Sequence, residues 1–453
     1  MKLEQLKQVY FVGIGGIGMS ALARYFVHLG VTVFGYDRVE TALTQQLEQE
    51  GMHIHYQDDV AQIPEGIDLV VYTPAVSAEH QELQHFRANG YTIMKRAEVL
   101  GLISKSKKTI AVAGTHGKTT TSAILAHLLK VGGVDCSAFL GGIAGNFDSN
   151  FVAGESEWVV MEADEFDRSF LQLRPEIAIL TSMDADHLDI YGDKESLEQT
   201  FLEFAGQVKQ SIYYQAGLPI DSQYNLGIDW YNYGINQGTI RANNVSAIQT
   251  IFVFDYINNQ NKVPTIPRLE FTLAGHHNVL NALAAISVAK ELGVKDKAIR
   301  EGLATFKGIK RRFELVTLTQ NDRAYVDDYA HHPTEIEMAI YAARTIFPKG
   351  KITGVFQPHL YSRTRDFATE FAAVLDQLDE VILLDIYPAR ELPIAGVSSQ
   401  MILDKMKLVK KELVPKEKLL EVLGNKEIQV LMTLGAGDIG SMVEDIKDLI
   451  DNK

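Results

Sequence analysis

The 453-residue chain contains a single cysteine, Cys136. An intramolecular disulfide is therefore excluded, as is a cysteine-based zinc cluster, and this fits a reducing compartment. No apolar run reaches the ~18 residues that a membrane span requires. Met1–Lys7 is polar and leads straight into a strand-like run, so it does not read as a signal peptide. Positive charge is in deficit: 43 Lys and Arg face 58 Asp and Glu, giving a formal net charge of −15. That balance disfavours non-specific binding to nucleic acid or anionic membrane, yet small anions need only a local cation. No short repeat and no low-complexity tract is present. With 46% apolar and 22% charged residues, the composition is that of an ordinary globular protein. At roughly 150 residues per domain, the length suggests about three domains. A cytoplasmic location is expected, with no nucleic-acid partner and no membrane insertion.

Short apolar runs alternate with helix-period segments. Val9–Val12, Val31–Phe34, Leu69–Tyr72, Thr109–Ala113, Trp158–Met161 and Ile177–Leu180 read as buried strands. Ser20–Leu29, Thr119–Lys130 and Asn278–Leu292 read as helices. This rhythm predicts α/β domains built on largely parallel sheets. Polar breaks at Ser104–Lys108 and Lys310–Arg312 suggest domains spanning 1–107, 108–311 and 312–453. Residues 211–273, rich in Tyr, Asn, Ile and Thr, read as an irregular, partly antiparallel insertion. Its strand-like pieces are Ile248–Tyr256 and Leu269–Leu273.

Three motifs at strand ends carry chemistry. Gly13-Ile-Gly15-Gly16-Ile-Gly18 follows the first strand and opens a helix, the context that G-x-G-x-x-G requires. Glycines there let backbone N–H groups approach a pyrophosphate at the positive end of a helix. Asp37, after the second strand, lies where a ribose-binding acid would. Gly114-Thr115-His116-Gly117-Lys118-Thr119-Thr120 is a P-loop variant with Val112 where the common form has glycine. Successive N–H groups there cradle phosphate, Lys118 reaches the terminal phosphates, and Thr119 can hold Mg²⁺. Two acidic clusters follow at strand-sized intervals: Glu162, Asp164, Glu165 and Asp167, then Asp184, Asp186, His187 and Asp189. Either alone reads as a solvated loop. Beside a P-loop they read as metal ligands, with Glu162, nearest its strand end, the first choice.

In the last third, three predicted strands end in polar groups. They are Arg323–Val326 before Asp327-Asp328-Tyr329-Ala-His331-His332, Ile352–Phe356 before Gln357-Pro-His359, and Ile428–Leu434 before Gly435-Ala-Gly437-Asp438. Their convergence suggests one sheet edge facing a ligand. Three classes compete for the whole. An ATP-dependent enzyme joining two substrates uses every motif. A nicotinamide oxidoreductase leaves the P-loop unexplained. An ATP-hydrolysing switch leaves the first glycine motif and the His/Arg cluster unexplained.

Read in order over nearly the whole chain, the motifs resemble the Mur ligase family, which builds the peptide of bacterial cell-wall precursors. They are GIGGIG continuing into MSALA, GTHGKTTT (Gly114–Thr121), EADEFDRSF (Glu162–Phe170), DHLDIY (Asp186–Tyr191) and HHNVLN (His276–Asn281). RRFE (Arg311–Glu314), DDYAHHP (Asp327–Pro333), QPHLYSRTRD (Gln357–Asp366) and GAGD (Gly435–Asp438) complete the set. The GIGGIGMS, HHP and RTRD segments look most like the branch that joins L-alanine to UDP-N-acetylmuramate. The branch that recycles a whole tripeptide onto the same sugar nucleotide is the alternative.

The resemblance implies an N-terminal Rossmann-like domain for the UDP-sugar, a central P-loop ATPase with a mixed sheet, and a C-terminal Rossmann-like domain for the amino acid. It implies ATP and Mg²⁺. ATP would phosphorylate the lactyl carboxylate, and the alanine amine would displace phosphate from the acyl phosphate. By the resemblance, Gly15, Gly16, Gly18 and Asp37 serve the sugar nucleotide. ATP falls to Gly114, Thr115, His116, Gly117, Lys118, Thr119, Thr120, His277, Asn278, Asn281, Arg312 and Asp327. Metal falls to Thr119, Glu162 and His187, and alanine to Tyr329, His331 and Arg363. Lys118, His187 and His332 are the implied catalytic groups, and either His331 or His332 is the base for the amine. Leu360 stands where some members carry an arginine for the amino-acid carboxylate.

Overall fold

Buried apolar runs that end in glycine turns assemble into three sheets in a computed structural model that describes residues 3–184, 191, 193–220, 227–248, 251–259, 263–319, 323–389 and 391–453. The first is wholly parallel, in the order β3 (His53–His55), β2 (Thr32–Tyr36), β1 (Gln8–Val12), β4 (Leu69–Tyr72), β5 (Ile93–Lys95). Strand order reverses between β1 and β4, so a crevice opens at the end of β1, where the glycine turn lies. Helix α1 (Ile17–His28) covers the face bearing Val9 and Phe11. Tyr10 and Val12 point to the other face and pack with Phe86 of α3 (Gln81–Ala88). The crossover helices α2 (Ala42–Gln49) and α4 (Arg96–Ser106) complete this layer.

The second sheet has ten strands in the order β15-β14-β13-β12-β11-β10-β6-β9-β7-β8. Its centre is β6 (Lys108–Ala113), flanked in parallel by β10 (Ile177–Leu180) and β9 (Trp158–Ala163). Beyond them lie β7 (Ser137–Ala144), β8 (Ser149–Val152), β11 (Ser211–Gln215), β12 (Asp229–Ile235), β13 (Ile240–Ile248), β14 (Ile251–Asn258) and β15 (Val263–Phe271). Only the β7–β8 edge pair is antiparallel among the pairings described here. Helix α5 (Lys118–Val131) follows the P-loop and is buried over most of its length. Helices α6 (Lys194–Ala205), α7 (His276–Glu291) and α8 (Asp296–Thr305) belong to the same part of the chain.

The third sheet runs β16 (Glu314–Leu318), β17 (Ala324–Asp328), β21 (Val430–Leu434), β18 (Ile352–Phe356), β19 (Glu380–Leu383), β20 (Lys411–Leu413). Only the edge strand β16 is antiparallel to its neighbour. Helices α9 (Pro333–Ile346) and α10 (Tyr361–Leu375) follow β17 and β18. The expected three-domain α/β architecture is thus the observed one. In compactness the chain forms two units. One comprises Met1–Asn244, Phe254–Leu269 and Leu280–Lys307, and the other Val245–Val253, Glu270–Val279 and Gly308–Lys453. No helix among the described residues is long and apolar enough to cross a membrane.

Several local expectations are corrected. The polar stretch at Ser104–Lys108 is not a loop. Its first three residues finish α4, and Lys108 already opens β6. Ser104 is buried, and its Oγ accepts the Arg174 N–H at 2.8 Å. Strand β9 does not stop at Met161 but runs through Glu162 to Ala163, and β17 runs through Asp327 and Asp328. Helix α1 starts at Ile17 rather than Ser20, so Gly18 lies in its first turn. Helix α7 starts at His276 rather than Asn278. The single run Ile248–Tyr256 is divided between β13 and β14. Propensity alone does not place a strand end where pairing with a longer neighbour extends it.

The third sheet is tied at its centre by Arg311, whose backbone takes the left-handed φ of 63°. Its Nε donates to Asp327 Oδ2 at 2.9 Å and its Nη2 to the Gly435 carbonyl at 2.7 Å. Asp327 is fully buried and also accepts from Thr433 Oγ1. Removing one partner of a buried pair leaves an uncompensated charge, at a cost of roughly 3 kcal/mol. Arg311→Met is therefore expected to lower the stability of this unit by about that much in urea unfolding. A loss under ~1 kcal/mol would mean that the pair behaves like a surface one.

Candidate active site

The glycine turn of the first sheet is built by hydrogen bonds from Gly13 and Ile14 N–H to the Tyr36 carbonyl, at 2.8 and 3.0 Å. Gly13 needs its φ of 88° for that turn. Gly16 caps α1. A Cβ on Gly15 would lie 2.9 Å from Asp37 Oδ2, and the Gly15 N–H donates to that oxygen at 2.7 Å. Asp37 thus bonds the loop itself, at the helix N-terminus where partial positive charge favours an anion. A Cβ on Gly18 would approach Arg96 Nη1 to 2.5 Å. Arg96, which sequence reasoning missed, therefore sets a cation against the first turn of α1, and its Nη2 lies 3.5 Å from Asp164. It directly follows β5, a three-residue strand absent from the sequence reading.

At the second sheet the register puts Leu180, Ala113 and Ala163 side by side. Three loops therefore leave the sheet at one level: Thr181-Ser182, the P-loop and Asp164-Glu165. Gly114 has φ 137°, and a Cβ there would lie 2.8 Å from Ser182 N. The Ser182 hydroxyl accepts the His116 N–H at 2.7 Å and lies 3.0 Å from Thr115 Oγ1. Thr181 Oγ1 donates to the His116 carbonyl. Gly117, with φ 81°, caps α5, and a Cβ there would meet Asn281 Oδ1 at 2.6 Å. Asn281 also accepts from Thr121 Oγ1 at 3.2 Å, which ties it to the helix that follows the loop. Thr120, in the first turn of α5, is buried. The Asn278 amide donates to the Ala274 carbonyl at 2.6 Å, and burial pushes the neighbouring His277 imidazole down to about 4.

Lys118 begins α5. Its Nζ donates to the Gly114 carbonyl at 2.7 Å and to both Glu165 oxygens at 3.0 and 2.7 Å. Burial works to lower its pKa, but Glu165, then Asp164 and Glu162, outweigh that and raise it. The ammonium stays charged. Glu165, almost fully buried, was only one of several acids in the sequence, and its pairing with Lys118 left no sequence signal. Thr119 Oγ1 donates to Glu162 Oε2 at 3.1 Å, while Glu162 Oε1 accepts the Gly141 N–H at 2.5 Å. A Cβ on Gly141 would come within 2.5 Å of Glu162 Oε2, so only glycine lets the strand approach this closely. A hydroxyl and an oriented carboxylate are the hard oxygen donors that Mg²⁺ prefers, with water completing the shell. The pair fits that ion. His187 lies outside the described residues, and among those described no group of three or more His, Cys, Asp or Glu is placed to hold a metal ion.

In the third sheet, Asp328, Leu434 and Phe356 are level. The loops after them carry Tyr329, Gly435 and Gln357. Burial pushes Asp328 up to about 7 against the pull of Arg312. The Tyr329 ring lies under both the Arg311 and Arg312 guanidiniums, at 5.3 and 5.2 Å, and edge-on to His331 at 5.3 Å. His331 Nδ1 contacts the Tyr329 carbonyl at 3.0 Å and Glu335 Oε2 at 3.3 Å. Both are acceptors, so Nδ1 carries the proton and the lone pair of the neutral ring is on Nε2. Burial lowers the His331 pKa. His332 is placed otherwise: its Nδ1 accepts the Thr334 N–H at 3.4 Å and caps α9. Arg363 donates to His359 Nδ1 at 3.4 Å, and the His359 ring lies 5.8 Å from that of His331. Tyr329, His331, His359 and Arg363 therefore form one cluster, while Asp327 sits beneath it in the Arg311 pair. Leu360, before Arg363, has φ 70° and ψ 139°, which is glycine-like geometry at the start of α10.

The chain matches three family models in series. They are the Mur ligase family catalytic domain over residues 8–108, the Mur ligase middle domain over 112–289, and the Mur ligase glutamate ligase domain over 311–439. It is 47% identical to the UDP-N-acetylmuramate–L-alanine ligase of Christiangramia forsetii, covering 98% of each chain. It is 48% identical to the enzyme of the same name from Flavobacterium psychrophilum, over all of both. Among solved structures it resembles the UDP-N-acetylmuramate–alanine ligase of Thermotoga maritima, with TM-score 0.85 and 30% identity over 98% of this chain and 100% of that one. A murein peptide ligase from Psychrobacter arcticus shares the fold, with TM-score 0.73 and 24% identity over 99% of each chain. The P-loop, its partner acids and the C-terminal His/Arg cluster are thus those of a chain that belongs to the Mur ligase family.

Proposed function

We propose that this protein joins L-alanine to the lactyl carboxylate of UDP-N-acetylmuramate, using ATP, in peptidoglycan precursor synthesis in the cytoplasm. The observation that carries the reading is the pairing of Lys118 and Thr119, at the start of α5, with Glu165 and Glu162 at the end of β9, in a chain close to half identical to ligases of that name over their full length. A carboxylate is a poor electrophile, so its oxygen first takes the γ-phosphoryl group and ADP leaves. The amine nitrogen then attacks the carbonyl carbon of the acyl phosphate. The tetrahedral adduct breaks its C–O bond to phosphate, and the amine proton passes to a base.

Each step needs groups that the three domains, proposed as 1–107, 108–311 and 312–453, carry. Gly15, Gly16 and Gly18 let the diphosphate approach the turn closely, with Arg96 as a nearby cation and Asp37 holding the Gly15 N–H. The P-loop residues Gly114 to Thr120 hold the ATP phosphates, and positioning plus charge stabilisation does most of the work there. Asn281 serves the nucleotide beside the P-loop, His277, Asn278 and Arg312 are further candidates for nucleotide contacts, and Asp327, fully buried, would act only through its Arg311 partner. Thr119, Glu162 and His187 would hold Mg²⁺, which when bound supplies neutralisation of phosphate charge. Arg363 is the partner for the alanine carboxylate. His331 suits the base better than His332, because its Nε2 is the acceptor nitrogen while the His332 Nδ1 caps a helix.

Four outcomes test this assignment. Lys118→Ala is expected to cut phosphate release at least ~100-fold and, by stranding Glu165, to cost about 3 kcal/mol of stability. Adding Glu165→Gln is expected to restore most of the stability and none of the activity. A variant that ligates normally removes Lys118 from phosphoryl transfer. Arg363→Ala is expected to raise the alanine KM at least ~10-fold with the ATP KM within about twofold. An unchanged alanine KM takes Arg363 out of the amino-acid site. For His331, the charged form prevails only below its lowered pKa, so activity is lost as pH falls through a value under the ordinary ~6.5. The acid limb of kcat/KM for alanine should therefore lie below that value and vanish in His331→Gln. A limb above it, or one that survives the substitution, assigns the base elsewhere. Replacing alanine by a tripeptide in the phosphate-release assay separates the peptide-recycling activity, which is expected to be at least ~100-fold weaker.

A further inference from the structure

Asn150 sits in β8, at the edge of the second sheet, and is wholly buried. Its amide makes three hydrogen bonds, all to α1, which follows the glycine turn of the first sheet. Nδ2 donates to the Ile17 carbonyl at 2.6 Å and to Ser20 Oγ at 2.8 Å, and Oδ1 accepts from Arg24 Nη1. A carbonyl can only accept and a guanidinium can only donate, so the amide has one possible orientation. Residues 17, 20 and 24 lie along one face of a helix, and Asn150 reads that face over two turns. Arg24 is itself buried, and its remaining donors grip Glu50 through Nε and Nη2 at 2.8 Å each. Around this polar seam, the Tyr25 ring packs 5.3 Å from Phe139 and 6.0 Å from Phe151.

The strand that holds α1 pairs with the one that leads to Glu162. β8 pairs with β7 through Phe139 and Phe151. β7 pairs with β9 through Phe139 and Met161. Two residues past Phe139, the Gly141 N–H donates to Glu162 Oε1. One short path of strand pairing thus connects the first turn of α1, beside Gly16 and Gly18, with the Glu162–Thr119 pair beside Lys118.

We infer that Asn150 is a positioning residue that fixes the glycine turn of the sugar-nucleotide domain relative to the P-loop, and so sets the acceptor carboxylate against the γ-phosphate. Phosphoryl transfer depends on near-contact alignment, and a shift of about 1 Å costs on the order of 100-fold in rate. Each ligand binds its own loop, so binding depends on the seam much less than transfer between the two ligands does. The inference rests on the ligase reading. Wild-type phosphate release with sugar nucleotide and alanine present tests that reading separately, so the two failures are distinguishable.

The experiment is single-turnover acyl-phosphate formation at saturating ATP and UDP-N-acetylmuramate, with the affinity of each ligand measured alone by titration calorimetry. Asn150→Ala is expected to slow the turnover at least ~10-fold while each affinity stays within about threefold. Asn150→Asp keeps the volume but loses the donors to Ile17 and Ser20, and is expected to fail at the same step. Ser20→Ala deletes one bond of the three, and should show a smaller loss at that step even if the Asn150 variants do not fold. The inference is overturned if the variants lower the melting temperature yet turn over within twofold of wild type. It is equally overturned if the whole loss lies in sugar-nucleotide affinity and disappears at saturation.

Discussion

The nucleotide site depends on one constraint: β10, β6 and β9 run parallel and end level. Parallel pairing in register places Ser182, the P-loop and the Glu162–Glu165 segment on a common edge without any long loop having to find its partner. A slip of one residue in β9 would turn Glu162 to the opposite face and bring a neighbour in its place. The strand is held against slippage by buried side chains on both faces. The Gly141 N–H then fixes the carboxylate on its last turn toward Thr119. The third sheet repeats the device, with Asp328, Leu434 and Phe356 level and the Tyr329, Gly435 and Gln357 loops leaving together.

A second regularity runs through the candidate sites. Side chains of the protein itself bond groups suited to anions: Asp37 the Gly15 N–H, Ser182 the His116 N–H, Glu165 the Lys118 ammonium, and Glu335 the His331 N–H. Buried donors and cations are costly unless paired, so a chain that builds positive clefts in an acidic protein must supply partners for them. The net charge of −15 and the binding of anionic substrates are therefore compatible. The acids cover the surface and also satisfy the cleft. Cys136 takes no part in this chemistry: burial pushes its thiol up to about 12.

Much of this was legible in the sequence. The strand, glycine turn and helix at Gly13–Gly18 and at Gly114–Thr120 stand out because backbone geometry and phosphate binding both demand those residues at those places. The α/β class followed from the alternation of runs, and the count of three domains from the length and two polar breaks. The rest lay in contacts distant along the chain. Nothing near Glu165 marks it as the partner of Lys118, 47 positions away, and Asn150 looks like a turn residue until α1, 130 positions earlier, is packed against it. His332, adjacent to His331 and indistinguishable from it by type, became a helix cap because Pro333 starts α9. Asp327 was read as lying just past its strand, but pairing with β21 carried the strand through it and buried it against Arg311 and Thr433.

The proposed ligation depends on the carboxylate being activated as an acyl phosphate before the amine attacks. It is tested most directly by supplying UDP-N-acetylmuramate labelled with ¹⁸O in the lactyl carboxylate, with ATP and alanine, and weighing the released phosphate by mass spectrometry. If the carboxylate oxygen bridges to phosphorus and leaves with it, each phosphate carries one labelled oxygen. Unlabelled phosphate, with the label expelled on amide formation recovered in water or in the nucleotide product, would contradict the mechanism.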